Sequence, residues 1–581
     1  MNEAPVEPRI AAGETRFRRR LAEVMRSGVP VWLLAVAVAL PLFVLLIDLG
    51  TPSLWDPDEG LPAEIAREML VTRRWLVPQL NFEPYPEKSP AYFWVIAGAM
   101  SLFGMKNEAA IRLPSVLLAL SGCWMTLRWG WRHVRPIAGT FAAIVLSTAA
   151  GTVAIGRLGI DDAASGFVLA IALLAMSEPL LDHRARFPWL FWLPLGIAVH
   201  WLGPSALLAP ILVAFGFVAL VREPARLLDL RPFRGLGILV ATVLPVFALA
   251  TLRDSAYAGS FFGNYNEIRF LDPHFDSYHS YSLVSLVTIV VVLFLPWTGF
   301  LPWVLRDALR TGGERSPFAR PYLTVWLVAD VAFFLLTNVN PVTYVVIALF
   351  PLAILTGRAL ARFLRRPRSI SIFSDPVLAA SSMLFLAVLF APFATRRWLQ
   401  NEFPAYADKL VFSYLLIPLA AAGLGAVARR NRLGALGTVA ACGALTLVGL
   451  YRYGSESVSA YNSMEVPANL IAARLPGDAT LVSYGTTSHT LAFYSGRPVA
   501  PLGDVTKADA LLHGDAPAAI LTKERFLPDV RARIDQPLYV WWVGDSKKML
   551  LATIPPPEEA DRRILLPLSR LTRSNEAGSR P

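Results

Sequence analysis

Cysteine is nearly absent: two in 581 residues, Cys123 and Cys442, each inside an apolar run. That excludes a disulfide framework and a zinc site built on cysteine. The seven histidines show no HExxH or comparable spacing, which leaves out the zinc-protease helix. Charge is short as well. Charged residues make up 17% of the chain, against about 25% in a soluble domain. A phosphate-binding Gly-rich loop is missing, and no DxD motif lies within a soluble Rossmann-like domain. The sequence therefore points away from a nucleotide cofactor.

In their place stand long apolar runs. Hydrophobic residues reach 55%, so most of the surface is expected to face lipid. A crossing helix needs about 20 apolar residues. Thirteen segments qualify: 31–50, 111–130, 136–156, 162–181, 188–203, 204–221, 235–252, 283–304, 321–338, 341–360, 376–394, 410–428 and 434–452. No small-residue cleavage site follows 31–50, so it reads as a retained span. Segment 91–104 has 14 residues, about 21 Å of helix at ~1.5 Å per residue. It is too short to cross and reads as interfacial or re-entrant.

The net charge of +11 is compatible with nucleic acid, but its distribution argues otherwise. Arginine clusters lie at 16–20, 128–135, 184–186, 222–234, 306–310, 362–368 and 429–432. If the thirteen spans alternate from an inside N-terminus, every cluster falls on the inner side, as the positive-inside rule requires. The bilayer is then the partner and nucleic acid is not.

Three domains follow: a cytoplasmic basic tail over 1–30, a transmembrane catalytic domain over 31–453, and a small extracytoplasmic α/β domain over 454–581. In the last, 479–485, 518–523 and 538–544 read as strands and 504–512 as a helix, giving a partly parallel sheet. The final residues read as a disordered tail.

The outer loop 51–90 carries the chemistry. Asp56, Asp58 and Glu59 follow the first span directly, and Glu64 and Glu68 sit at i, i+4 on an amphipathic segment, 61–72. Glu87 and Lys88 precede the short apolar run. Carboxylates beside a bilayer are costly unless solvated or engaged.

Order and spacing here resemble the C-type, polyprenyl-phosphate-sugar-dependent membrane glycosyltransferases. The bacterial aminoarabinose transferase and protein O-mannosyltransferase-like group is the nearest in pattern. The residues that carry the resemblance are Asp58-Glu59-Gly60, Ala63-Glu64-Ile65 and Arg67-Glu68-Met69-Leu70, then Trp75-Leu76-Val77-Pro78, Leu80-Asn81 and Tyr85-x-Glu87-Lys88-Ser89-Pro90, then Arg112-Leu113-Pro114-Ser115. Fainter matches are Arg157…Asp162, Gly203-Pro204, Asn266-x-x-Arg269, Pro296-Trp297, Tyr344…Pro351 and Tyr494-Ser495-Gly496-Arg497.

The resemblance implies a polytopic helical fold and an inverting transfer of a sugar from a polyprenyl phosphate to a membrane-associated acceptor: a glycolipid, a glycan or a protein hydroxyl. It places Asp58 as general base or acceptor-orienting group, with Glu59 beside it and Asp162 as a second outer-face carboxylate. Lys88, Arg157 and Arg269 are the implied donor-phosphate contacts. Glu87 and position 266 match places that hold a divalent metal ion. The chain departs from the pattern at Leu61, Leu202, Asn266 and Asn340, which replace two lysines, an arginine and a histidine. Two rival readings are a transporter or flippase and a non-catalytic scaffold of the same fold. Against the first, no internal repeat is visible and the polar groups gather at one face, unlike a mid-membrane transport site; against the second, Asp58 is retained.

Overall fold

The computed structural model describes residues 28–182, 189–262, 282–310, 312, 314–336, 341–365, 375–402, 416–454, 462–502, 517–533, 538–544 and 547–555. Arg269, Asn266 and the helix expected over 504–512 lie outside them.

Helices dominate. The first, α1, is Val31–Leu46. It leads through a turn into α2, Gly60–Thr72, and a two-stranded ribbon, β1 Gln79–Leu80 with β2 Glu83–Pro84. The short apolar run forms α3, Pro90–Phe103, capped by Ser89, whose hydroxyl accepts from the Ala91 amide, with Pro90 at its first position. That is the favoured order of cap and proline. Then come α4 Glu108–Trp129, α5 Pro136–Thr148, α6 Ala150–Gly156, α7 Asp161–Leu181, α8 Trp189–Leu202, α9 Leu208–Val221 and α10 Pro232–Arg253. The later helices include α11 Leu283–Leu293, α12 Leu301–Ala308, α13 Ala319–Leu336, α14 Val346–Arg365, α15 Pro376–Glu402, α16 Leu416–Ala428 and α17 Arg432–Gly449.

Seven described helices are long and apolar enough to cross a membrane, or nine if each of two bent pairs counts as one span. Of the thirteen expected spans, two are bent pairs and four correspond to shorter apolar helices, Val31–Leu46, Trp189–Leu202, Pro376–Phe390 and Leu416–Ala428. Segment 136–156 bends by 56° between α5 and α6, and 283–304 bends by 111° between α11 and α12. The breaks face each other. The Ala150 amide donates to the Leu295 carbonyl at 2.8 Å, and the Trp297 indole donates to Thr148 Oγ1 at 2.9 Å. One backbone amide at the first break is thus satisfied by a carbonyl at the second, as a buried helix interruption requires.

Burial sorts the helices. In α7 and α14 the apolar stretch is 94% buried, whereas α10 is only 17% buried. The first two form the centre and α10 presents its apolar face outward, with Phe233 89% and Leu252 84% exposed. Helix α14 packs on α5 through Gly357, where a side chain would overlap the backbone of Ala138 and Ala142. Small residues at such crossings let helix backbones close up.

After α17 come α18 Glu465–Arg474 and a five-stranded sheet in the order β4-β3-β5-β7-β6. Strands β3 (Thr480–Tyr484), β4 (Ala500–Leu502) and β5 (Ala518–Lys523) run parallel, while β6 (Tyr539–Val543) and β7 (Lys548–Ala552) are antiparallel neighbours. The continuous apolar runs of β5 and β7 are buried along their length except at Lys523, the pattern of strands covered on both faces. Helix α19, His489–Ser495, packs against α2.

Candidate active site

The turn between α1 and α2 is held from two sides. Below it, Arg112 of α4 is 2% exposed and donates Nε and Nη2 to Glu59 at 2.8 and 2.7 Å. Its remaining donors reach the carbonyls of Leu49, Pro52 and Ser53. Glu59 also accepts from the Gly159 amide at 2.9 Å. Every face of this buried pair is therefore hydrogen-bonded, which such a pair needs to offset desolvation. Above the turn, Asp56 accepts from the Ser488 and Thr490 hydroxyls, both at 2.6 Å, and from the His489 and Thr490 amides, both at 2.9 Å. Gly60 fits between these layers: a Cβ there would meet Thr490 at 2.8 Å and Asp56 at 2.9 Å.

Asp58 lies between Asp56 and Glu59 in sequence but shares neither fate. It stays open to solvent. Its carboxyl is nevertheless held above the ordinary carboxylate range, first by desolvation, then by the charges of Asp162, Glu59 and Asp161, with Lys88 opposing. Lys88, just before α3, donates Nζ to Asp161 Oδ2 at 2.5 Å. Its own carbonyl accepts from the Tyr257 hydroxyl at 3.2 Å. Asp162, next along at the start of α7, accepts from the Tyr344 hydroxyl at 2.8 Å. Lys88 and Asp161 are thus paired, and the charges of Asp162, Asp161 and Lys88 all act on Asp58, so the four residues share one electrostatic environment.

The other expected residues sit differently. Glu59 is 1% exposed and engaged with Arg112. Arg157 is buried, donates to the carbonyls of Val44 and Ile47 at the end of α1, and lies over the Tyr451 ring at 3.5 Å. It is occupied in fastening α1 to the segment after α17. Glu87 is exposed. Among the described residues no three His, Cys, Asp or Glu side chains are grouped to hold a metal ion. His200 links Ser89 to the Thr242 carbonyl, at 3.1 and 3.0 Å. Leu202, at a position where the resembling transferases carry a lysine, is fully buried.

Asp161, Tyr257 and the pairing role of Arg112 were missed in the sequence. The Asp161-Asp162 doublet was the available signal for the first, since either acid could face Lys88.

Helices long and apolar enough to cross a membrane, with acids and an ammonium in one electrostatic environment, fit a membrane-embedded transferase that works on a lipid-linked substrate, and the protein's relatives give the class. The sequence profile described as dolichyl-phosphate-mannose-protein mannosyltransferase matches residues 87–249. The undecaprenyl phosphate-alpha-4-amino-4-deoxy-L-arabinose arabinosyl transferase of Pseudomonas aeruginosa is 30% identical over 394 residues, covering 65% of this chain and 68% of that one. The enzyme of the same name from an Enterobacter species is 27% identical over 389 residues, covering 64% and 67%. In fold, the chain matches the crystal structure of ArnT from Cupriavidus metallidurans bound to undecaprenyl phosphate. The TM-score is 0.76 at 22% identity, over 90% of this chain and 99% of that one. The chain belongs to the family of these arabinosyl transferases and is a glycosyltransferase that uses a lipid-linked sugar donor.

Proposed function

We propose that the chain moves a sugar, with inversion, from undecaprenyl phosphate to an acceptor held in or at the outer face of a bacterial inner membrane. Thirteen crossings, made of the seven long helices, the two bent pairs and four of the shorter apolar helices, carry the loop 51–90 and the C-terminal sheet to that face. Helix α3 is the shorter apolar helix that does not cross. The C-terminal unit, fastened on the turn around Asp56, borders the acceptor entrance.

The chemistry is a direct displacement. An acceptor oxygen attacks the anomeric carbon as the bond from that carbon to the phosphate oxygen breaks. The electron pair leaves with the polyprenyl phosphate, and the acceptor proton passes to Asp58. A carboxyl with raised proton affinity is a better base than a free one near neutral pH. Lys88 exchanges its Asp161 partner for the departing phosphate, an anion at the depth where an interfacial cation sits. Asp162, fixed by Tyr344, orients the acceptor. Arg269 joins the phosphate contact in this reading, and Glu87 and Asn266 are the residues that a metal would engage.

What supports the reading is that Asp58, at one end of the loop, feels the charges of Lys88 at the other end and of Asp161 and Asp162 at the start of α7. Mass spectrometry of envelope glycolipids, from cells with wild-type protein, with Asp58→Asn, and with neither, tests it. A sugar-sized mass difference present only with wild type is expected. An identical glycolipid profile in all three would remove it.

A further inference from the structure

Three arginines lie on the side of the membrane where cations are scarce. Under the topology proposed above, on which the placing at the outer interface rests, Arg73, Arg74 and Arg253 fall opposite to the basic clusters and against the positive-inside bias. They converge on one cavity of about 680 Å³, together with Trp75, Gln79 and Asp254. That volume falls in the usual range for a small-molecule site, about 300–1,000 Å³.

The local structure presents these cations rather than neutralising them. Arg73 ends α2 in the left-handed region, at φ 59°, where glycine is the ordinary choice and a longer side chain carries a cost. Arg253 ends α10, next to the outward-facing Leu252. Trp75 is exposed, and its ring adds the interfacial aromatic that marks the headgroup level. No ion pair of Arg73, Arg74 or Arg253 exists among the described residues. The single acid on the wall, Asp254, caps the Ala256 amide at 3.0 Å. The cavity is also tied to the transfer site. Val77 packs against the cluster of Phe247, Ala250, Tyr257 and Phe261, and Tyr257 of that cluster donates to the Lys88 carbonyl.

We propose that this cavity binds the phosphate of an anionic lipid headgroup at the outer interface, as a second phosphate site apart from the one at Lys88. Three guanidinium groups supply forked donors suited to phosphate oxygens, and the flanking apolar surface of α10 takes the acyl chains.

Native mass spectrometry of the full-length protein in detergent, with added phosphatidylglycerol, uncharged diacylglycerol or inorganic phosphate, tests this. Wild type should retain phosphatidylglycerol at least about tenfold more tightly than the triple variant R73Q/R74Q/R253Q, and added salt should narrow the gap because the contacts are charged. The lysine triple variant R73K/R74K/R253K should keep most of the binding, which separates lost charge from a misfolded protein. Equal retention by wild type and the glutamine variant overturns the proposal. So does binding of inorganic phosphate with no preference for the lipid. Asp58→Asn should retain the lipid like wild type. If that variant still transfers sugar, the transfer reading fails while this binding result stands.

Discussion

Asp56 accepts the Thr490 hydroxyl at 2.6 Å across 434 positions of sequence. With Ser488 and two backbone amides on the same carboxylate, the first loop is fastened to the sheet unit two residues before Asp58. Hydrogen bonds to a charged group are worth about 1.5–3 kcal/mol each. Asp56→Ala should therefore loosen the C-terminal unit. We expect faster protease release of that unit and a lower apparent Tm in detergent, with Asp56→Asn in between because it keeps one acceptor oxygen. Identical digestion of all three proteins would deny the fastening.

Adjacent acids should fail in different ways. Breaking a buried ion pair by removing one partner costs about 3–5 kcal/mol, so Arg112→Met and Glu59→Gln should both lower the amount of folded protein. Asp58→Asn should leave that amount unchanged and reduce transfer by about 10²–10⁴-fold, the usual contribution of a positioned base. Size-exclusion recovery set beside a transfer assay separates the two. A stable, inactive Glu59→Gln would instead move the proton acceptor from Asp58 to Glu59.

The rate should also report the charges around Asp58. As a base it must be deprotonated, so activity falls as pH drops through its raised pKa. Asp161 and Asp162 raise that affinity and Lys88 lowers it. Asp161→Asn should thus shift the acid limb of kcat/KM to lower pH. Lys88→Met should shift it to higher pH, in addition to weakening donor binding. Limbs that stay fixed in both variants would mean that another group titrates.

The helices were legible because apolar runs of this length have few alternatives, and the strands at 480–484, 518–523 and 539–543 fall on segments read as strands from their β-branched and aromatic content. The bends were not legible. Hydropathy records no direction, and the break at Thr148 follows from hydroxyls of Ser147 and Thr148 bonding back to the Ile144 carbonyl, a local competition that can bend a helix. In the site, Asp58 and Lys88 could be picked out by charge beside an apolar run. The use of Glu59 depends on Arg112, 53 positions away, and the use of Arg157 on carbonyls at the end of α1. Neither distance is written in local spacing.

Glu68 supplies the last test, on stability rather than rate. It is fully buried in α2, one turn from Glu64, and its Oε2 accepts the Phe82 amide at 2.9 Å. Burial, reinforced by the neighbouring Glu64 charge, pushes its pKa up to about 7, against about 4.3 in an unfolded chain. Between these values the folded state binds the extra proton, so stability is full below about pH 4.3 and is lost as pH rises through 7. Glu68→Gln keeps an acceptor for Phe82 and carries no charge at any pH. Its apparent Tm should match wild type near pH 5 and exceed it at pH 8. A Tm difference that does not change with pH would show that Glu68 does not titrate in this range.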